Sequence, residues 1–380
     1  WTDPNVYGAK SLTPYEKLFD QDFNGDGVKG INVASLIAIK TDTSGVRLMR
    51  DADKALYIVD ESNKPSELPN SGWMEYSNSW GTDNYNKREV VAIEATKDAN
   101  KNITGYKLAI KNTNKWYGND EQVTYDIQTL DTSGKQVYGS TGSNGMWNDP
   151  NIYGAKSLTP YEKLFNEDFN NDGSIGIKIS SLTPIATDTQ GVRVMRDAEK
   201  ALYIVNEAGT DAMAMPNLGN MEYKNSWGNG YNSREVVAVE AVKSGGTITG
   251  YKLAVKQVYQ YDTNPEQVTY DIMALDESGK QVYGSNVNGT WTDPNTYGAK
   301  SLTPYEELFN EDFNKDGSIG INVATLVLAG TDTSGVKLAR DSEQSLYIVN
   351  EAGNKAMAIT NAGWLEYNNN YSSTNYYKRE

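Results

Sequence analysis

Short runs of alternating apolar and polar residues, separated by turn sequences, recur along the whole chain. Residues 106–111 (YKLAIK) and 123–127 (VTYDI) alternate with a period of two, as strands with one buried face do. The apolar runs at 36–39, 46–49 and 55–59 have the length of strands, and the first two flank the turn sequence TDTSG. The pattern predicts a mainly β fold with antiparallel sheets. It does not distinguish a sandwich from a barrel.

One short helix interrupts this pattern near the start of the chain. Thr13 is a suitable N-cap, Pro14 suits the first helical position, and Glu16 stands three residues after the cap. Together they match a capping box with a favourable proline. Leu18 and Phe19 add an apolar edge. The predicted helix runs directly into an acidic loop.

The helix and the loop belong to a long internal repeat. The segment that begins at Trp1 returns nearly unchanged at Trp147 and at Trp291. A period of this length is that of a domain rather than of a solenoid repeat. We therefore expect three tandem β-rich domains, copies 1, 2 and 3, with residues 1–146, 147–290 and 291–380.

Copy 3 is shorter than the other two, because Glu380 corresponds to Glu89 of copy 1 and the strand sequences that follow have no counterpart. The simpler interpretation is a slice of a longer repetitive protein. The alternative is that a neighbouring subunit supplies the remaining strands, as in donor-strand complementation. Trp1, Trp147 and Trp291 each stand just before an Asp-Pro pair, and we expect them to pack at the junctions between copies.

The acidic loop has the residue spacing of a calcium ligand loop. A hard cation is held by oxygen ligands at loop positions 1, 3 and 5, with glycine at position 6 and a backbone carbonyl at position 7. The three loops read DFNGDG, DFNNDG and DFNKDG. The predicted calcium ligands are Asp22, Asn24, Asp26 and Val28 (carbonyl) in copy 1, Asp168, Asn170, Asp172 and Ser174 (carbonyl) in copy 2, and Asp312, Asn314, Asp316 and Ser318 (carbonyl) in copy 3.

Position 12 of the loop departs from this scheme, because Val33, Ile179 and Val323 stand where a bidentate carboxylate is expected. The sequence therefore predicts weak affinity, unless a distant group such as Asp20 or the helix residue Glu16 completes the site. The alternative is a plain turn, since Asp, Asn and Gly favour turns without any metal.

Composition removes several classes of protein. The chain of 380 residues contains no cysteine and no histidine, which excludes disulfides, thiolate chemistry, serine–histidine triads and histidine-ligated zinc. Its formal net charge of −15 disfavours nucleic acid as a partner, because nucleic acid is bound by clustered Lys and Arg. No apolar run approaches the roughly 18 residues that a membrane-spanning helix requires.

Several segments together resemble a known kind of repeat. These are TDTSGVRLMRDADKALYIV, VVAIEATKDANKNITGYKLAIKNT and LFDQDFNGDGVKG. They are similar to the tryptophan-rich tandem repeat domains of secreted cyanobacterial and other bacterial surface proteins of the calcium-dependent haemagglutinin type. The helix and loop also resemble one half of a dockerin or EF-hand module. The resemblance implies an extracellular, calcium-bound and non-catalytic module.

Aromatic and acidic residues provide two further hypotheses. Trp80 and Trp227 occupy equivalent NSWG segments and would form a glycan-binding surface if they were exposed, since indole rings pair an apolar body with a polar tip. Packing within a half-buried sheet is the alternative. Carboxylates in strand-like segments, Glu75 and Glu94 among them, are compatible with a glycosidase, but nothing marks any pair as catalytic.

The sequence therefore predicts a non-catalytic structural repeat protein of the bacterial cell surface that binds calcium as its cofactor. It would form part of a filament, a surface layer or an adhesin stalk, by self-association or within a longer tandem array. A lectin-like adhesin that binds glycans is the first alternative, and a glycosidase is the second.

Overall fold

A computed structural model describes most of the chain. The described residues are 9–69, 71–81, 83–116, 120–141, 147–215, 221–262, 264–287, 290–359, 367–370 and 376–379. The chain divides into two compact units, Trp1–Lys178 and Ile179–Glu380. Both are built mainly of antiparallel strands, which confirms the predicted fold class. None of the helices in the described ranges has the length and apolar character needed to cross a bilayer.

The first unit contains two main sheets. Its strands are β1 (Ile37–Thr41), β2 (Arg47–Arg50), β3 (Leu56–Val59), β4 (Pro65–Glu67), β5 (Tyr76–Trp80), β6 (Asn84–Lys97), β7 (Ile103–Lys115), β8 (Gln122–Leu130), β9 (Ser140–Thr141), β10 (Trp147–Asn148) and β11 (Ile152–Ala155). Strands β1 to β4 form a four-stranded meander, and a five-stranded sheet has the order β11-β8-β7-β6-β5.

The two sheets of the first unit pack face to face as a sandwich. Leu48, Leu56 and Ile58 of the meander join Leu108 and Ile110 of the five-stranded sheet in one buried cluster. Successive side chains of a strand point to opposite faces, so the alternating residues predicted from the sequence supply this core. The structure thus selects the sandwich from the two forms that the pattern allows.

The long strands β6 and β7 pair over most of their length and are joined by a tight turn. Asp98 accepts hydrogen bonds from the backbone N–H groups of Asn100 and Asn102, at 2.9 and 2.8 Å. In the second unit the equivalent turn is made by Gly245 and Gly246, with φ values of 58° and 85°. Two left-handed residues in succession match the twist of an antiparallel hairpin, and glycine adopts them without strain.

The second unit repeats this arrangement and adds the strands of copy 3. Its strands are β12 (Thr183–Thr187), β13 (Arg193–Arg196), β14 (Leu202–Val205), β15 (Ala212–Ala214), β16 (Tyr223–Trp227), β17 (Gly230–Ser244), β18 (Thr247–Gln260), β19 (Gln267–Asp276), β20 (Ser285–Val287), β21 (Thr290–Thr292), β22 (Thr296–Ala299), β23 (Val327–Thr331), β24 (Lys337–Arg340), β25 (Leu346–Val349), β26 (Ala356–Ala358), β27 (Tyr367–Asn370) and β28 (Tyr376–Arg379). The orders β12-β13-β14-β15 and β16-β17-β18-β19-β22 match the two sheets of the first unit.

The described helices are short. The α-helices are α1 (Glu16–Phe19), α2 (Ser71–Met74), α3 (Glu162–Phe165) and α4 (Glu306–Phe309), and the 3₁₀ turns are Thr13–Tyr15, Val33–Ser35, Thr159–Tyr161, Ile179–Ser181, Thr303–Tyr305 and Val323–Thr325. We use the name helix–loop segment for residues 10–30 of copy 1, 156–176 of copy 2 and 300–320 of copy 3.

The predicted capping box is wrong, although the helix lies where the sequence places it. Leu12 is the N-cap of the 3₁₀ turn and makes no side-chain cap. The Thr13 hydroxyl instead accepts a hydrogen bond from Asn24 Nδ2 at 3.2 Å. The Glu16 side chain is buried and turns toward the acidic loop. Thr13 and Glu16, three residues apart, therefore bind the acidic loop instead of capping the helix.

The outer faces of the two sheets in the first unit are covered by residues in or next to a helix–loop segment. Ile31 and Val33, just after the helix–loop segment of copy 1, pack against Met49, Tyr57 and Val59 of the meander. The helix–loop segment of copy 2 covers the five-stranded sheet. The compact unit thus ends at Lys178 rather than at residue 146, where the sequence period ends.

Candidate functional site

The acidic loop of copy 1 is held by hydrogen bonds from its own backbone. Asp22 accepts the N–H groups of Gly25 and Gly27 at 2.7 and 2.9 Å through its two carboxylate oxygens. Asn24 Oδ1 accepts the N–H of Asp26 at 2.9 Å. Asp26 Oδ1 accepts the N–H of Val28 at 2.9 Å. The predicted ligand residues therefore converge on one small turn, as their spacing requires.

Copies 2 and 3 repeat this geometry. Asp168 and Asp312 each accept the N–H of the glycine at position 6 at 2.9 Å. Asn170 and Asn314 accept from the backbone at position 5, also at 2.9 Å. The bonds from Ser174 N to Asp172 and from Ser318 N to Asp316 both measure 3.0 Å.

The helix glutamate is the residue that organises each loop, and sequence reasoning assigned it the wrong role. Glu16 Oε1 accepts the N–H groups of Phe23 and Asn24 at 3.0 and 3.2 Å, and its Oε2 accepts that of Gly30 at 2.8 Å. Gly30 has a φ of 104°, which favours glycine. One buried carboxylate thus ties both ends of the loop to the helix.

Glu162 and Glu306 do the same in the other copies. Each accepts three backbone N–H groups from its own loop. Burial raises the pKa of both carboxyls, and the backbone hydrogen bonds oppose that rise because they stabilise the charged form. The signal available in the sequence was a glutamate at a constant distance before the loop and a glycine fourteen residues after that glutamate.

The donor set of the loop fits a hard cation in part. It offers only oxygen atoms, and each carboxylate oxygen keeps a lone pair beside the N–H bond that it accepts. The twelfth position remains apolar. The described residues contain no group of three or more acidic, histidine or cysteine side chains placed to hold a metal ion. Carbonyl groups, amide groups and water would therefore have to supply the remaining ligands.

The two groups considered as distant ligands are occupied elsewhere. Asp20 is a left-handed C-cap residue and pairs with Lys29 at 2.7 Å. Glu16 faces the backbone N–H groups described above. Two hydroxyl groups lie closer to the expected ligands: Ser35 donates to Asp26 Oδ2 at 3.3 Å, and Thr325 donates to Asp316 Oδ2 at 3.4 Å. In copies 1 and 3, a hydroxyl two residues beyond position 12 thus donates to the carboxylate at position 5.

The helix–loop segment also forms the junction with the preceding copy. Leu158 and Phe165 are buried against Ala92, Ala109 and Ile127, which form the floor of the five-stranded sheet. Helix α3 lies against β6. In the second unit, Leu302 and Phe309 pack in the same way on Ala238, Ala254 and Ile272. Small residues in the long strands leave room for the phenylalanine ring.

Polar side chains fix the register of this junction. Asn151 Oδ1 accepts the N–H of Thr129, and its Nδ2 donates to the carbonyl of Val137, both at 2.8 Å. Asp126 accepts the N–H of Gly154 at 3.0 Å and pairs with Arg88 at 2.8 Å. These contacts lie beside β11, which joins the edge of β8.

The second unit has an equivalent set of junction contacts. Asn295 accepts from Ala274 N and donates to the Val282 carbonyl at 2.8 Å. Asp271 accepts from Gly298 N at 2.9 Å and pairs with Arg234 at 2.6 Å. Sequence reasoning missed Asn151 and Asn295, although both directly follow the Asp-Pro pair that drew attention to the neighbouring tryptophans.

The aromatic residues proposed for glycan binding are exposed and have aromatic neighbours. Trp80 stacks on Trp116 with a centroid distance of 5.3 Å and an interplanar angle of 17°. Trp227 lies 6.1 Å from Tyr259, tilted by 45°. All four rings remain partly open to solvent. The sequence pattern placed Trp80 and Trp227 correctly at equivalent positions but did not show their partners.

The remaining tryptophan and carboxylate hypotheses have different outcomes. Trp291 lies in the β20–β21 hairpin and is largely exposed. Trp1 and the side chain of Trp147 lie outside the described residues. Glu75 forms an ion pair with Arg50, and Glu222 forms one with Arg196 at 3.1 Å. These two carboxylates therefore have structural partners in the sandwich.

Comparison with known proteins adds little. No protein-family model and no curated protein matches the sequence. A search of solved structures returns the WD40 domain of SCAP from fission yeast, at 9% identity over 86% of each chain, with a TM-score of 0.17. A score at this level does not indicate a shared fold.

Proposed function

We propose that this chain is a non-catalytic structural repeat protein of the bacterial cell surface, stabilised by calcium. In this proposal it forms part of a filament, a surface layer or an adhesin stalk. The sequence resemblance to tryptophan-rich surface repeats supports the location, and the acidic composition suits calcium-rich surroundings.

The observation that carries the structural part of the proposal is the junction between copies. The helix–loop segment of copy 2 completes the five-stranded unit of copy 1, and the segment of copy 3 does so for copy 2. Copies 1 and 2 are therefore each completed by the helix–loop segment of the copy that follows. Repeats that interact with their sequence neighbours in one constant way can extend into long, regular arrays.

Calcium has a specific role in this proposal. Asp168, Asn170, Asp172 and the Ser174 carbonyl would hold the ion in copy 2, with the equivalent residues in the other copies. The ion would neutralise the carboxylates that crowd the turn and so stabilise the helix–loop segment. With a dissociation constant of about 10⁻⁴ M, each site adds about 1.4 kcal/mol at about 1 mM calcium.

The variant Asp172→Asn separates a calcium site from a plain turn. The asparagine Oδ1 retains the acceptor for Ser174 N, so stability without calcium should stay within about 0.5 kcal/mol of the parent chain. The loss of one carboxylate should weaken calcium binding at that loop alone. Calorimetric titration of the full chain should then show three sites in the parent and two in the variant.

Two readouts decide this test. The first readout is the heat of calcium binding. The second is protection from hydrogen exchange in the segment that contains Asp172, measured during urea unfolding with and without a chelator, with magnesium as the control ion. If neither heat nor added protection appears at calcium concentrations up to about 10 mM, two orders of magnitude above the expected dissociation constant, the calcium part of the proposal is wrong.

A lectin-like function is the second candidate, because exposed aromatic pairs recur at the same place in two copies. Trp80 with Trp116 and Trp227 with Tyr259 lie at or next to strand ends and stay partly exposed. Trp80→Ala combined with Trp227→Ala should abolish glycan-array binding if this function is correct. The exposed Tyr138 provides a matched control as Tyr138→Ala. An array without any bound glycan argues against the lectin hypothesis.

A further inference from the structure

The helix–loop segment of copy 1 has the same leucine and phenylalanine residues as its two counterparts, but they are covered differently. Phe19 is 61% exposed, whereas the equivalent Phe165 and Phe309 are 4% and 3% exposed. Leu12 is exposed as well, and its equivalents Leu158 and Leu302 are buried. Copy 1 thus presents the apolar face that the other copies bury.

This face is already in its docked conformation. The rings of Phe19 and Phe23 lie 6.0 Å apart at 74°, compared with 5.9 Å and 76° for Phe165 and Phe169. The Glu16 hydrogen bonds to the loop match those of Glu162. Because no rearrangement is needed, little conformational entropy would be lost when a partner covers the face.

We infer that the helix–loop segment of copy 1 is a docking surface for the five-stranded sheet of another repeat of this kind. The sheet of that repeat would cover the segment of copy 1 in the way that the five-stranded sheet of copy 1 covers the segment of copy 2. The residues of that sheet that would contact the segment correspond to Ala92 of β6, Ala109 of β7 and Ile127 of β8. This inference rests on the proposed array function and specifies how the array is extended.

A second copy of this chain is a poorer occupant. The floors of its two five-stranded sheets are already covered, one by Phe165 and the other by Phe309. Docking of such a copy would have to displace a segment that is buried within its own unit. The fitting partner is a repeat sheet that carries the same floor and has no helix–loop segment on it.

Cysteine labelling tests this assignment, because the chain contains no cysteine of its own. The reporter Phe19→Cys is placed in the parent chain and in an extended chain that carries a further copy of residues 1–146 directly before Trp1. Phe19 is exposed, so the substitution should not disturb folding. We expect the thiol of the Phe19→Cys variant to be labelled at least about tenfold more slowly in the extended chain, since the reagent reaches it there only when the covering sheet opens locally.

The neighbouring residue supplies a matched control. Leu18 is 76% exposed, and its equivalents Leu164 and Leu308 are still 38% and 37% exposed after docking. Labelling of Leu18→Cys should therefore slow only about twofold on extension, in proportion to exposed area. A general collapse or aggregation of the extended chain would slow both reporters alike and would contradict the inference.

Two other outcomes also overturn it. Equal labelling of Phe19→Cys in the parent and extended chains means that the added sheet does not cover the face. Concentration-dependent protection in the parent chain, with a dimer mass in sedimentation, means that a second copy occupies it. Calcium titration of the parent chain does not depend on any of these results, so the inference and the calcium proposal can fail separately.

Discussion

The burial of one phenylalanine distinguishes the junction from an ordinary surface. Phe165 and Phe19 occupy equivalent positions in the helix–loop segment, at 4% and 61% exposure. Replacing a buried phenylalanine by alanine typically lowers stability by about 3–5 kcal/mol, because apolar contact is lost and a cavity remains. At position 19 most of the ring is already in water, and we expect a loss of about 1 kcal/mol.

Hydrogen exchange in a urea series measures both effects in the full chain. Peptides from β6 and β7 report on the first unit, and peptides from β17 and β18 report on the second unit as an internal reference. With an m-value of about 2 kcal/mol/M, Phe165→Ala should lower the midpoint of the first unit by about 1.5–2.5 M. Phe19→Ala should lower it by about 0.5 M.

The two variants make the same chemical change in nearly the same local sequence, YEKLFDQDF and YEKLFNEDF. Equal shifts for Phe165→Ala and Phe19→Ala would refute the reasoning, since burial on the sheet floor would then contribute nothing. A shift of the β17 and β18 peptides as large as that of β6 and β7 would also refute it, because the contacts of Phe165 lie within the first unit.

Three further predictions follow from single contacts. In the same urea series, Glu306→Gln should destabilise the second unit by about 1–3 kcal/mol, because an amide cannot accept all three loop N–H groups. The control Glu311→Gln changes an exposed side chain and should have an effect below about 0.5 kcal/mol. Asn151→Ala should cost about 2–4 kcal/mol, since it leaves Thr129 N and the Val137 carbonyl unpaired, and loss of protection in β8 measures this. Burial, and after it the nearby Asp42, raises the pKa of Glu94. The contribution of Glu94 to stability is therefore greatest below its ordinary pKa and falls as the pH rises through the raised pKa. Acidification from about pH 7 toward pH 4 should raise the urea midpoint through this group, Glu94→Gln should make that rise smaller, and an unchanged slope would contradict the prediction.

The strands were largely predictable from the chain, because alternation and turn residues act over a few neighbouring positions. Residues 36–39, 46–49 and 55–59 correspond closely to β1, β2 and β3. The turn sequence after β1 also forms as expected, with Asp42 accepting the N–H of Ser44 at 2.9 Å. The acidic loops follow the same rule, since Asp, Asn and Gly define a turn by local hydrogen bonds.

The role of Glu16 was not predictable in this way. A threonine three residues before a glutamate matches a capping box as well as it matches the observed arrangement. The choice depends on where the Glu16 carboxylate finds unpaired N–H groups, and those belong to Phe23, Asn24 and Gly30. A capping rule considers only N–H groups within the first turn of the helix, whereas these donors lie seven to fourteen residues after Glu16.

The sequence by itself determined the strand content, the repeat and the composition of the acidic loop, all of which depend on short-range pattern or direct identity. Only the tertiary structure decided that the helix–loop segment of one copy completes the sheet of the copy before it. That decision depends on contacts such as Phe165 with Ala92 and Ala109, which join distant positions. Because the same phenylalanine is exposed in copy 1 and buried in copies 2 and 3, the residues of the segment alone do not distinguish these environments.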